Sequence, residues 1–232
     1  SSTVMTTSGV RTVPVTYFSD VLCVWAYFSH VRVETIQTSY GPRAPFDFRF
    51  CSIFPDARTK IRAAWEGRDA FQRFNAHLCK AADTFPEVAF NRAVWLDTRP
   101  ASSTGVHVFL KAAQLAAAKD ELVGSASDLT WKMRCAFFQD ARDISSWQVQ
   151  CAVARETRVD LDQITARVHD GSAYAALGSD YADADAAGIK GSPTLVLNGG
   201  RQKLYGNVGY RIIHANIEEL LSEPNPNQAS WC

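Results

Sequence analysis

Cys23 heads the run Cys23-Val24-Trp25-Ala26, which has the spacing of a dithiol turn with alanine in place of the second thiol. The run follows a short apolar strand, Val13 to Phe18, and opens a helix that extends toward Tyr40. A side chain at that junction faces the first unpaired N–H groups of the helix and the positive end of its dipole. Such a position predicts a lowered thiol pKa and a nucleophilic thiolate at neutral pH. Far downstream, Gly191-Ser192-Pro193 leads into the apolar run Thr194 to Leu197. A proline just ahead of a strand suits a sheet edge, and the Ser192–Pro193 bond is a candidate for the cis form.

Ala26 limits what Cys23 can do. A dithiol oxidase or reductase needs a second thiol to release the mixed disulfide, and alanine supplies none. Cys51, Cys79, Cys135, Cys151 and Cys232 are widely spread and read as structural thiols, with Cys51 buried just past the second strand. No cysteine pair has Cys-x-x-Cys spacing and no histidine lies at ligand spacing from a second ligand, so no metal site is expected. Ser192 reads either as a contact for a substrate thiol or as a cap of its turn. Trp25 and Tyr27 are candidates to line a groove near the thiol, Trp25 the better placed. Asp20 reads as a helix cap. His30 reads as structural or solvated, and His77, His107, His169 and His214 have no partner visible in the sequence.

These residues need a scaffold, and the flanking sequence describes one. Phe46-Asp47-Phe48-Arg49-Phe50 alternates with the period of a strand. The strand–helix–strand unit so formed predicts parallel pairing with a right-handed crossover. From Thr59 to Asp185 helix formers dominate, with start signals at Ser146-Trp147 and Asp160-Leu161. A helix over 179–187 stopped by Gly188, a strand over 194–197, a turn at Asn198-Gly199-Gly200 and a returning strand over 202–205 follow. A closing helix over 210–221 carries Ile213, Ile217 and Leu220 on one face. The expected organisation is a polar tail at 1–11, an α/β domain made of 12–58 and 186–221, a helical insertion at 59–185, and a poorly ordered tail at 222–232.

The Cys23 turn, the Ser192-Pro193 loop and the helical material between them resemble the DsbA-like branch of the thioredoxin superfamily. That branch includes FrnE-type oxidoreductases, 2-hydroxychromene-2-carboxylate isomerases and kappa-class glutathione transferases. The resemblance runs from about Val13 to Leu221. It implies a thioredoxin-like fold with an all-helical domain inserted between its two halves, and Cys23 as the catalytic thiol. It further implies substrate-binding roles for Trp25, Ser192, Pro193 and Asn207. Three uses then fit a lone thiol. It can exchange disulfides with glutathione as co-substrate and external resolving thiol, without a tightly bound cofactor. It can serve an isomerase or transferase acting on an aromatic or electrophilic small molecule. Or the fold can keep its groove for binding and have no redox role. The isomerases and kappa transferases carry serine at the place of Cys23. They also carry a Ser-Asp pair where this chain has Asn207-Val208, and Val208 cannot hold an ammonium group.

Composition narrows the partners. The 232 residues are 47% hydrophobic, ample for a core, and 24 Lys and Arg balance 24 Asp and Glu. That balance predicts neither nucleic acid nor an anionic membrane as partner. No apolar run approaches the roughly 20 residues that span a bilayer. The polar N-terminus lacks a signal-peptide layout, and the spread of cysteines suits a reducing cytoplasm. The expected partner is a small thiol or disulfide substrate, and self-association stays open.

Overall fold

A computed structural model describes residues 6–7, 10–200, 202–206 and 208–222. A short antiparallel pair, β1 (Thr6–Thr7) and β2 (Val10–Arg11), lies within the segment expected to be a polar tail. The main sheet then begins with β3 (Val15–Ser19), two residues later than the sequence suggests. It is joined in parallel by β4 (Phe46–Phe50), as the crossover rule predicts. The antiparallel strands β5 (Thr194–Leu197) and β6 (Gln202–Tyr205) complete the strand order β4-β3-β5-β6. Asn198, Gly199 and Gly200 all take positive φ in the turn between β5 and β6, a conformation that asparagine and glycine reach most easily.

The helix expected from Cys23 to Tyr40 is broken into α1 (Val24–Phe28) and α2 (His30–Tyr40). Ser29 sits at the break with ψ near zero. Its hydroxyl donates back to the Ala26 carbonyl and pairs with Tyr17 Oη, a local bond that bends helices. The break separates two packing tasks. Val24, Tyr27 and Phe28 of α1 join the core of the helical region. Val33, Ile36 and Tyr40 of α2 instead cover the sheet together with Ile213, Ile217 and Leu220 of α10 (Tyr210–Ser222).

Between β4 and β5 the chain forms seven helices and no strand beyond an isolated Val94–Thr98 bridge. These are α3 (Ala57–Ala64), α4 (Ala70–Asp83), α5 (Thr104–Ala118), α6 (Ala126–Phe138), α7 (Trp147–Glu156), α8 (Leu161–His169) and α9 (Ser172–Ala186). Ser146 and Asp160 cap α7 and α8, accepting from the Val149 and Asp162 amides. α9 starts seven residues before the expected Ser179, because Ala173, Leu177, Asp180 and Ala184 bury one continuous face of it. Among the described residues no helix is long and apolar enough to cross a membrane. The expected C-terminal disorder falls outside the described residues, except for Ser222 at the end of α10.

The register explains how residues distant in sequence meet. Ser19 at the end of β3 pairs with Phe50 at the end of β4, and Phe18 pairs with Thr194 at the start of β5. The Asp20–Cys23 turn, the segment after Phe50 and the Ser192–Pro193 loop therefore emerge at one edge of the sheet.

Candidate functional site

Cys23 is the N-cap residue of α1, and its thiol donates to the Ser192 carbonyl oxygen at 3.1 Å. The Ser192–Pro193 peptide is cis. Ser192 also ties the loop to the turn, since its Oγ accepts from the Asp20 amide at 2.9 Å. The serine thus ties the loop to the turn through its hydroxyl, while its carbonyl accepts from the thiol. Cys23, Ser192 and Pro193 are brought together.

The electrostatics depart from the helix-terminus expectation. Burial pushes the Cys23 thiol above its ordinary value of 9.0, and the Asp20 carboxylate adds to the rise. The Ser192 hydroxyl and the backbone amides of Ala26 and Trp25 favour the thiolate but do not overcome burial. A five-residue helix supplies a weak field, whereas a thiol 8% exposed loses most of the hydration a thiolate needs. Burial thus opposes the Cys23 thiolate more than the helix terminus favours it. Cys51 is buried as expected, and desolvation raises its pKa as well.

The other expected positions divide. Trp25 is half-buried and packs edge-on against Phe28 and Phe85 at centroid distances of 5.9 and 6.4 Å, beside the core of the helical region. Tyr27 is a core residue, stacked on Phe138 and Trp131. Asn207 lies outside the described residues. A cleft of about 460 Å³ does open nearby, but it includes Ala26, His30 and Arg134 and none of Cys23, Trp25, Ser192 or Pro193.

Asp20 does not cap α1. Its Oδ1 accepts from the Leu22 amide at 2.9 Å, while Oδ2 accepts from the Ile53 and Phe54 amides, each at 3.0 Å, and from Ser103 Oγ at 2.7 Å. The carboxylate clamps the thiol turn to the segment after β4 and to the start of α5. Two further residues hold this turn and carry no signal in the sequence. Arg134 of α6 donates to Ser19 Oγ and to the Asp20 carbonyl. His107 of α5 accepts the Val21 N–H at Nε2, 3.0 Å, and meets Tyr181 Oη at Nδ1, 2.7 Å. The remaining histidines also have partners: His30 pairs with Glu34 and His214 with Tyr40, while His77 and His169 pack on Trp65 and Trp147.

Acceptance at Nε2 requires neutral His107, and burial lowers its pKa from 6.5 to about 4. Because the folded value lies below the unfolded one, the stability it contributes is complete above about pH 6.5. That stability is lost as the pH falls toward 4. The shift corresponds to about 3 kcal/mol. Urea unfolding midpoints compared between pH 7 and pH 4 will therefore drop, and a His107→Gln variant will show a shallower fall over that window.

Residues 14–218 match the model of the DSBA-like thioredoxin domain. The chain belongs to that family. The match runs from just before β3 into α10. The ClpXP adapter protein SpxH of Bacillus licheniformis is 33% identical over 125 residues, which are 50% of this chain and 41% of that protein. The chain thus aligns with less than half the length of this curated relative. A probable DsbA oxidoreductase from Streptomyces coelicolor superposes with a TM-score of 0.71 at 19% identity, covering 94% of each chain. The cytosolic disulfide reductase DsbM from Pseudomonas aeruginosa, solved with GSH, gives a TM-score of 0.59 at 14% identity. The latter match covers 90% of this chain and 96% of that one. At these identities the solved structures are similar in fold.

Proposed function

We propose that this DSBA-like domain is a monothiol disulfide reductase in a reducing, cytoplasmic setting, with Cys23 as its nucleophile and glutathione as co-substrate. The observation that carries the reading is the Cys23 thiol held 3.1 Å from the carbonyl that precedes the cis-proline. At that place an extended disulfide substrate finds main-chain hydrogen-bond partners beside the sulfur it presents. The raised thiol pKa sets the direction. A thiol whose protonated form is favoured is a poor leaving group, so its mixed disulfide persists and the couple is reducing. In the first step Cys23 attacks the glutathionyl sulfur of a mixed disulfide substrate. The Cys23–glutathione bond forms, the substrate sulfur leaves as a thiolate, and the proton given up by Cys23 goes to it. In the second step a free glutathione thiol gives up its proton and attacks the same sulfur; the Cys23–sulfur bond breaks, oxidised glutathione leaves, and that proton goes to the departing Cys23 sulfur. External glutathione takes the part that a thiol at position 26 would play.

The test is intact-mass and peptide-mapping spectrometry after incubation with oxidised glutathione over a pH series. A single glutathione adduct on Cys23 is expected, forming slowly at pH 7 and still accelerating above pH 9. Reduced glutathione should reverse it, and Cys23→Ser should abolish it. An adduct confined to Cys79, or none at any pH, would overturn the reading. A redox-inactive binding role, for which the burial of Cys23 is the specific support, would then lead.

A further inference from the structure

The helical region carries a cationic cluster that takes no part in holding the thiol turn. Arg58 and Arg62 stand four residues apart on α3, and Arg99 joins them from the loop ahead of α5. All three line one cavity of about 400 Å³, whose other walls are Asp97, Thr98 and Asp143. Like charges at that helical spacing are destabilising, and a cation in the first turn of a helix opposes its dipole. The cluster is nevertheless held in place. Arg58 Nε donates to the Arg99 carbonyl at 2.9 Å, and Arg99 Nε donates to the Trp95 and Leu96 carbonyls at 3.1 and 2.9 Å. Arg62 and Arg99 both lie over the buried Phe71 ring, with Cζ 5.2 and 4.0 Å from its centroid.

These contacts use two Nε atoms and two guanidinium faces. Among the described residues the terminal Nη groups of the three arginines meet no acceptor, and none of the three forms an ion pair. The carboxylates of the cavity are otherwise placed. Asp143 Oδ1 accepts from the Ser145 amide and hydroxyl, and Asp97 is exposed. The Thr98 hydroxyl donates to the Ala141 carbonyl at 2.6 Å. Planar, permanently charged forks match the oxygens of a phosphate group, and an anion relieves the repulsion among them. Every wall residue is polar or charged, so the body that carries the phosphate must be polar too. Carboxylate oxygens with spare lone pairs accept from hydroxyl groups.

We propose that this cavity binds the phosphate monoester of a small hydroxylated molecule, with the phosphate on the Arg58, Arg62 and Arg99 forks and hydroxyls on Asp97 and Asp143. The site is separate from the thiol, since none of Cys23, Ser192 and Pro193 lines it.

The experiment is a calorimetric titration of the full chain, at fixed ionic strength, with glucose 6-phosphate, glucose, inorganic phosphate and inorganic sulfate. Saturable one-to-one binding of glucose 6-phosphate is expected, with no binding of glucose and with both inorganic anions at least about tenfold weaker. Arg62→Gln, at an exposed position of α3, should weaken binding by at least about tenfold while circular dichroism stays unchanged. Arg58→Gln should do the same, and it decides if Arg62→Gln does not fold. Arg68→Gln, an exposed arginine outside the cavity, should bind as tightly as the parent. Absent or non-saturable binding of glucose 6-phosphate, equal binding of sulfate, phosphate or glucose, unchanged binding in the folded cavity variants, or an equal loss in Arg68→Gln would each overturn the assignment.

Discussion

An Ala26→Cys variant will form a reversible disulfide with Cys23 and gain dithiol reductase activity that the parent lacks. Position 26 lies three residues after the thiol at the start of α1, and its amide is among the groups that favour the Cys23 thiolate. That separation across one helical turn suits the Cα spacing of a disulfide. Ala26 is 2% exposed but lines the cleft, so an added sulfur has space on that side. A resolving thiol in the same chain acts at high effective concentration. Reduction of a model disulfide should therefore rise on the order of tenfold or more at equal glutathione. Thiol counting before and after mild oxidation, paired with that assay, checks both claims. A folded variant that keeps both thiols free under oxidation would count against the turn geometry.

The second large effect is on stability. Asp20→Ala leaves the Leu22, Ile53 and Phe54 amides without their side-chain acceptor, while the Ser103 hydroxyl keeps only the Phe54 carbonyl at 3.2 Å. Unmet buried donors of this kind are costly, and the loss should reach about 3–5 kcal/mol in urea unfolding. Asp20→Asn keeps one carbonyl oxygen but sets an NH2 group against a backbone N–H, so about 1–3 kcal/mol is expected. The asparagine variant has a second readout. Removing the carboxylate that raises the Cys23 pKa should quicken Cys23 alkylation at pH 7. An alanine variant as stable as the parent would show that the clamp does not hold the turn.

Most of the scaffold was legible because its signals are local. The alternation of Phe46–Phe50 marked β4, the Ser146 and Asp160 caps marked α7 and α8, and the Asn-Gly-Gly turn marked the β5–β6 hairpin. Each depends on a few neighbouring residues whose backbone preferences act whatever the rest of the chain does. The long helix from Cys23 was misread for the complementary reason. Its break at Ser29 is fixed by Tyr17 and by two different cores claiming the two halves.

The sequence by itself determined that a lone thiol heads a helix, that Ala26 denies it an internal partner, and that a proline loop begins a strand. Only the tertiary structure decided the state of that thiol. Its hydrogen-bond acceptor is 169 residues away, and the carboxylate that raises its pKa is held by amides more than 30 residues along the chain. Arg134 and His107 reach the same turn across 114 and 86 residues. The charge of a group depends on how much water the fold leaves it and which dipoles the fold aims at it. Neither quantity is written in the spacing of nearby residues, so a position that favours a thiolate by local rules has its thiol pKa pushed up once the chain has closed around it.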